Sequence, residues 1–129
     1  MLKVDFSSLQ KRFDPLPDGI YDVEIIKVEL KTNKHSKGTH LNWHLKIIDE
    51  DILAECSSAV STRLFLITPL KENALWKLKK FLKILDHSFY GAIAEIDPER
   101  LIGKQLKVKV IQERYNNSLY NKVIDFMRI

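Results

Sequence analysis

The feature that most constrains this chain is a pair of alternating apolar patterns around a polar loop, from Gly19 to Ile48 (GIYDVEIIKVELKTNKHSKGTHLNWHLKII). Tyr21, Val23 and Ile25 alternate with Ile20, Asp22 and Glu24, the period of two that marks a half-buried strand. The phase slips at Ile25 and Ile26. Beyond it, Ile26, Val28 and Leu30 carry the apolar face and Lys27, Glu29 and Lys31 the polar one. One extra residue moves a strand's apolar set to its other face, so the slip predicts a bulge or a strong bend. In the second half Leu41, Trp43, Leu45 and Ile47 share one face, and His40, Asn42, His44 and Lys46 the other. That pattern predicts a buried Trp43 beneath a wet, basic surface. The loop between them holds turn formers at Asn33, Ser36 and Gly38. With Lys31, Lys34, His35 and Lys37 it reads as a flexible, positively charged finger.

The remaining segments complete this hairpin. Met1 to Asp18 is a lead-in: Phe6, Leu9 and Phe13 are spaced like a short helix, and Pro15 and Pro17 block its continuation. It is expected to pack across the barrel as a plug. Asp49-Glu50-Asp51 reads as a solvated acidic turn, since its spacing lacks a calcium-loop pattern. A third strand, about Ser57 to Thr68, sets Val60, Thr62, Leu64 and Leu66 against Ser61, Arg63, Phe65 and Ile67. An outward Arg63 beside Phe65 suits stacking on bases; packing of Phe65 under a loop or the helix is the other reading.

Thr68 and Pro69 look like the cap and first position of a helix. Leu70, Ala74, Leu75, Leu78, Phe81, Leu82 and Leu85 then form an apolar stripe over about 17 residues, roughly 25 Å. Lys77, Lys79, Lys80 and Lys83 lie off the stripe, as does Trp76, which is expected to pack against the lead-in. Asp97 to Gly103 reads as one helical turn stopped by glycine. Leu106, Val108 and Val110 then alternate with Lys107, Lys109 and Ile111. A turn at Arg114-Tyr115-Asn116-Asn117-Ser118 leads into a last strand, Tyr120 to Ile129.

With 129 residues the chain suffices for one core and needs no staple: a lead-in over 1–18 and one domain over 19–129. The single cysteine, Cys56, has no disulfide or zinc partner, which suits a reducing compartment. No apolar run nears the roughly 20 residues of a membrane helix, and MLKVDFSS is no secretory signal. A soluble, cytoplasmic protein is expected. The net charge of +4 and pI near 9.1 are mildly basic, so the placement of the lysines carries more than their number.

Strand, bent strand partner, strand, helix, strand, strand is the order of a mainly β, five-stranded OB-fold (Greek-key) barrel with one long helix between strands 3 and 4. The chain resembles the small OB-fold single-stranded DNA-binding proteins of phages and prophages, which include domains catalogued as phage proteins of unknown function. The resemblance lies in PDGIYDVEI (Pro17 to Ile25), KTNKHSKGTHLNWHLKI (Lys31 to Ile47), ALWKLKKFLKIL (Ala74 to Leu85), LIGKQLKVKV (Leu101 to Val110) and ERYNNSLYNKV (Glu113 to Val123). It implies cooperative, sequence-tolerant binding of single strands in phage DNA replication or recombination inside a bacterial host. Many such proteins end in an acidic tail that recruits partners. This chain ends DFMRI, which puts tail-mediated recruitment of replication enzymes in doubt.

The expected contacts to single-stranded DNA are Lys31, Lys34, His35, Lys37, His40, His44 and Lys46 on the first hairpin, and Arg63 and Phe65 on the third strand. Lys107 and Lys109 on the fourth strand join them, with Arg114, Tyr115 and Tyr120 at the last turn. No catalytic constellation, phosphate loop, cofactor motif or metal spacing is visible. His40 and His44 are four residues apart, about 13 Å on a strand, too far to share an ion. The alternatives are a protein–protein module on the same fold or a single-stranded RNA binder. A homodimer is compatible with exposed sheet edges.

Overall fold

The computed structural model describes residues 1–3, 15–32, 38–55, 59, 62–85 and 96–129. Five strands, β1 (Gly19–Thr32), β2 (Thr39–Ile47), β3 (Arg63–Pro69), β4 (Gln105–Tyr115) and β5 (Ser118–Met127), form one antiparallel sheet in the order β3-β2-β1-β4-β5. Two α-helices are described: α1 (Glu50–Glu55) and α2 (Leu75–Ile84).

β1 organises the sheet because it is long enough to pair on both sides. Gly19 to Glu24 pair with β4, and Val23 to Thr32 pair with β2. The phase slip read from the sequence is a register shift between Ile25 and Lys27. At that point Ile25 leaves β4 and bonds the following turn instead: its N–H donates to the Lys104 carbonyl (3.0 Å), and its carbonyl accepts from the Gly103 N–H (2.8 Å). Gly103 sits at φ +95, a left-handed conformation that glycine adopts without steric cost. It closes the 3-10 turn Pro98–Leu101, which Asp97 caps by accepting from the Glu99 N–H. Leu30, expected on the apolar face, lies exposed at the far end of β1.

The expected barrel is not closed. Among the described residues β3 and β5 are the two edges of the sheet and share no ladder, although their Cα atoms come within 8 Å of one another. Helix α2 packs against both edges. Its Phe81 packs at a tilt on Trp43 of β2 (centroids 4.7 Å apart, 44° between planes) and meets Phe126 of β5 edge-on at 5.5 Å. Lys80 pairs with Asp125 at 2.9 Å. The core beneath is made by Tyr21, Val23 and Ile25 of β1, Leu41, Trp43, Leu45 and Ile47 of β2, Leu64 and Leu66 of β3, and Leu78, Phe81 and Leu82 of α2. Leu106, Val108 and Val110 of β4 complete it.

The helix is shorter than its sequence pattern. Thr68 is fully buried in β3, where its hydroxyl accepts a hydrogen bond from the Trp43 indole N–H (2.9 Å). A buried indole needs such an acceptor, and the hydroxyl that satisfies it is not available as a cap. Pro69 pairs with His40 at the sheet edge, a place where a missing N–H is tolerated. A 3-10 turn, Glu72–Ala74, then leads into the ten residues of α2. Leu75 is exposed, and so is Trp76, which was expected against the lead-in. Lys77 is half-buried; burial, then the charge of Lys122, holds its ammonium pKa below the ordinary lysine value.

The acidic stretch is the start of α1 rather than a plain turn: Asp49 accepts from the Ile52 N–H (3.4 Å), and Glu50 and Asp51 occupy the first turn. Carboxylates there complement the helix dipole. Of the lead-in, residues 4–14, and with them Phe6, Leu9 and Phe13, lie outside the described residues. Its end does pack on the sheet. Leu16 is fully buried; its N–H donates to Asn121 Oδ1 (2.9 Å), and its carbonyl accepts from Asn121 Nδ2 and Gln112 Nε2.

Candidate nucleic-acid interface

Cross-strand partners in an antiparallel pair share a face, so the register assigns the surface. Opposite the core, the outer face carries Arg63, Phe65 and Ile67 of β3 against Lys46, His44 and Asn42 of β2. Those in turn face Glu24, Lys27 and Glu29 of β1. Further along, Ile20 and Asp22 face Lys109 and Lys107. Lys31 and His40 oppose each other near the end of the first hairpin. Lys34, His35 and Lys37 lie outside the described residues.

The β3 alternation holds as read: Leu64 and Leu66 are buried, while Phe65 is 51% exposed. Its ring is not loose. His44 meets it edge-on, 4.9 Å between centroids at 75°, and His44 Nε2 is hydrogen-bonded to the Glu29 carboxylate. A carboxylate that fixes an imidazole, which in turn supports an aromatic ring, makes a pre-set flat apolar surface. The hydrogen bond from His44 holds the Glu29 carboxyl below the ordinary carboxylate value, with help from the charges of Lys27 and Lys31.

The surface expected to be basic is largely charge-balanced. Lys46 pairs with Glu24 (3.4 Å), Lys107 with Asp22 (2.7 Å), Lys31 with Glu29 (3.9 Å) and Lys122 with Glu113 (3.2 Å). Lys27 and Lys109 form no ion pair among the described residues. Surface pairs of this kind hold about 0–1 kcal/mol each, so an incoming phosphate competes with them at small cost.

Arg114 is exposed. It opposes Leu119 and shares the face of Val110 and Gln112, because Tyr115, Glu113 and Ile111 take the outer positions. Tyr115 and Tyr120 are on the outer face, both exposed, and with Glu113 and Lys122 they line a shallow apolar cleft. Phe65 does not line that cleft; it stands on β3, at the opposite end of the ladder order from β5. The outer face therefore holds two aromatic patches. The turn between the tyrosines is Asn116-Asn117, both at positive φ (49 and 63), the two-residue form that suits strand twist.

Sequence reading missed Asn42. Placed on the wet face by alternation, it is only 8% exposed, and its Oδ1 is buried without a hydrogen-bond partner among the described residues. Its position on the central strand of β1-β2-β3 was the available signal.

A family model matches residues 2–128 of this chain. The chain belongs to the family described as "Protein of unknown function (DUF669)". No curated protein matches it. Among the described residues no three His, Cys, Asp or Glu side chains gather as a metal site, and no helix is long and apolar enough to cross a membrane.

Proposed function

We propose that the outer face of this sheet binds single-stranded nucleic acid, DNA in the first place, with little regard to sequence. The observation that carries the reading is Phe65: a half-exposed ring on an edge strand, braced by His44 and flanked by Arg63 and Lys46. Every base has a π-face, so a fixed aromatic surface with neighbouring cations engages any sequence. The strand order supports an OB-type architecture, being that barrel's ring opened between β3 and β5, and OB folds of this partly open kind bind oligonucleotides on the face of strands 2 and 3. A role in phage DNA replication or recombination rests on the resemblance of the ordered motifs alone.

The ion pairing of Lys31, Lys46 and Lys107 favours a second reading, a protein-binding module whose partner meets a mixed-charge, partly apolar surface. Titration of fluorescent oligo-dT against salt, beside duplex DNA of equal length, separates the two. Single-strand binding gives an affinity that falls with a log-log slope near −0.7 per neutralised phosphate and exceeds that for duplex. No binding at low salt overturns the proposal and leaves the protein-binding reading.

A further inference from the structure

Among the described residues, Asn42 Oδ1 is the one buried side-chain polar atom without a hydrogen-bond partner. Such an oxygen has lost its water and gained nothing, a penalty native structures accept rarely and with a reason. The reason is not core packing: Asn42 lies between the buried Leu41 and Trp43 but points the other way, to the outer face. There it is flanked across the strands by Ile67 and Glu29, one position along from the Phe65–His44 pair. Diagonal neighbours of this kind are about 7–8 Å apart, close to the width of a nucleobase stacked on one of them. The outer torsion of an asparagine side chain is soft, so the amide can turn its oxygen toward a ligand.

Resting on the binding reading above, we infer that Asn42 is a base-edge acceptor: its Oδ1 takes a hydrogen bond from an N–H on the Watson–Crick edge of a base stacked on Phe65. Thymine offers its N3–H there, and adenine and cytosine their exocyclic amines. The amide thus makes the site require a base while leaving it tolerant of which base. A buried acceptor that waits for a donor rejects a ligand lacking one, since the oxygen then stays unpaired in the complex.

The probe is oligo-dT compared with the same oligonucleotide carrying N3-methylthymine, which keeps the stacking face and removes the donor. The expected result is a loss of roughly tenfold in affinity on methylation for the wild-type protein. In Asn42→Leu, and in Asn42→Ala should the leucine variant not fold, methylation makes no difference. The leucine variant should also melt at a higher temperature, because the orphan oxygen is gone. Equal affinity of the wild-type protein for both oligonucleotides overturns the role of Asn42 while the single-strand reading stands. The same loss in wild type and variant overturns it too, by assigning the effect to the methyl group's bulk. Failure of both oligonucleotides to bind overturns the binding reading itself.

Discussion

The two aromatic patches of the outer face differ in what lies behind them. Phe65 projects from β3, whose ladder to β2 continues into β1, with His44 and Glu29 fixing its surroundings. Tyr115 and Tyr120 stand at the end of a hairpin that β1 supports only as far as Val110, so the last five residues of β4 have β5 as their one ladder partner. The difference teaches that the same residue type in the same alternation yields a pre-formed surface in one place and an adaptable one in the other. Pre-organisation lowers the ordering cost of binding, so Phe65 should carry more affinity than either tyrosine.

The largest expected effect tests the support itself. Trp43→Ala removes the ring that packs on Phe81 and leaves Thr68 without its donor, and should cost about 3–5 kcal/mol in a denaturant titration. If stability holds while oligonucleotide binding is lost, Trp43 belongs to the site and the contrast between the patches fails. Next, Phe65→Ala should weaken oligo-dT binding by about 1–3 kcal/mol, with the loss persisting at high salt where phosphate contacts have faded. Tyr115→Ala and Tyr120→Ala should each weaken it less; an equal or greater loss at the hairpin would reverse the ranking.

A smaller effect concerns charge. Replacing Lys27 and Lys109 together by alanine should lower affinity for all sequences alike and flatten the salt slope by about 1–2. The matching change of Lys46 and Lys107 uncovers Glu24 and Asp22 and should be worse than the mere loss of two cations. Indistinguishable slopes for the two double variants would mean that the ion pairs play no part. The smallest effect is on pH. The folded pKa of Glu29 is depressed, so its bond to His44 contributes stability present above the ordinary glutamate range and lost as pH falls through the folded value. In Glu29→Gln, melting temperature should fall less steeply on acidification below that range than in the wild type; parallel curves would remove the brace from the explanation of Phe65.

How much of this was legible in the sequence divides along the same line. Period-two alternation identified the strands, the bulge at Ile25 and Ile26, the buried Trp43 and the outward Phe65, because each is a local consequence of which side chain faces the core. The asparagine turn and the glycine-stopped turn after Asp97 were legible because asparagine and glycine accept the backbone conformations that turns need. What depended on partners was not. Thr68 carries the signature of a helix cap, yet the indole across the ladder uses its hydroxyl. The lysines looked free because Asp22, Glu24 and Glu29 meet them only once the register is set. Asn42 looked wet because alternation reports direction, whereas burial depends on the strands to either side.

The clasp at Leu16 has a bearing on how the protein is made. Its amide and carbonyl are satisfied by Asn121, 105 positions later in the chain, and β1 can complete its β4 ladder only when residues beyond Gln105 exist. A ribosome adding about 5–20 residues per second takes roughly 5–20 s to cover that span. Leu16 stays uncovered for this interval, and for the part of it between the making of Ile47 and of β4 the newborn chain carries an apolar β1–β2 hairpin with one side unpaired. Arrested intermediates shorter than about 120 residues should therefore recruit holding chaperones, and release from them should coincide with emergence of β5.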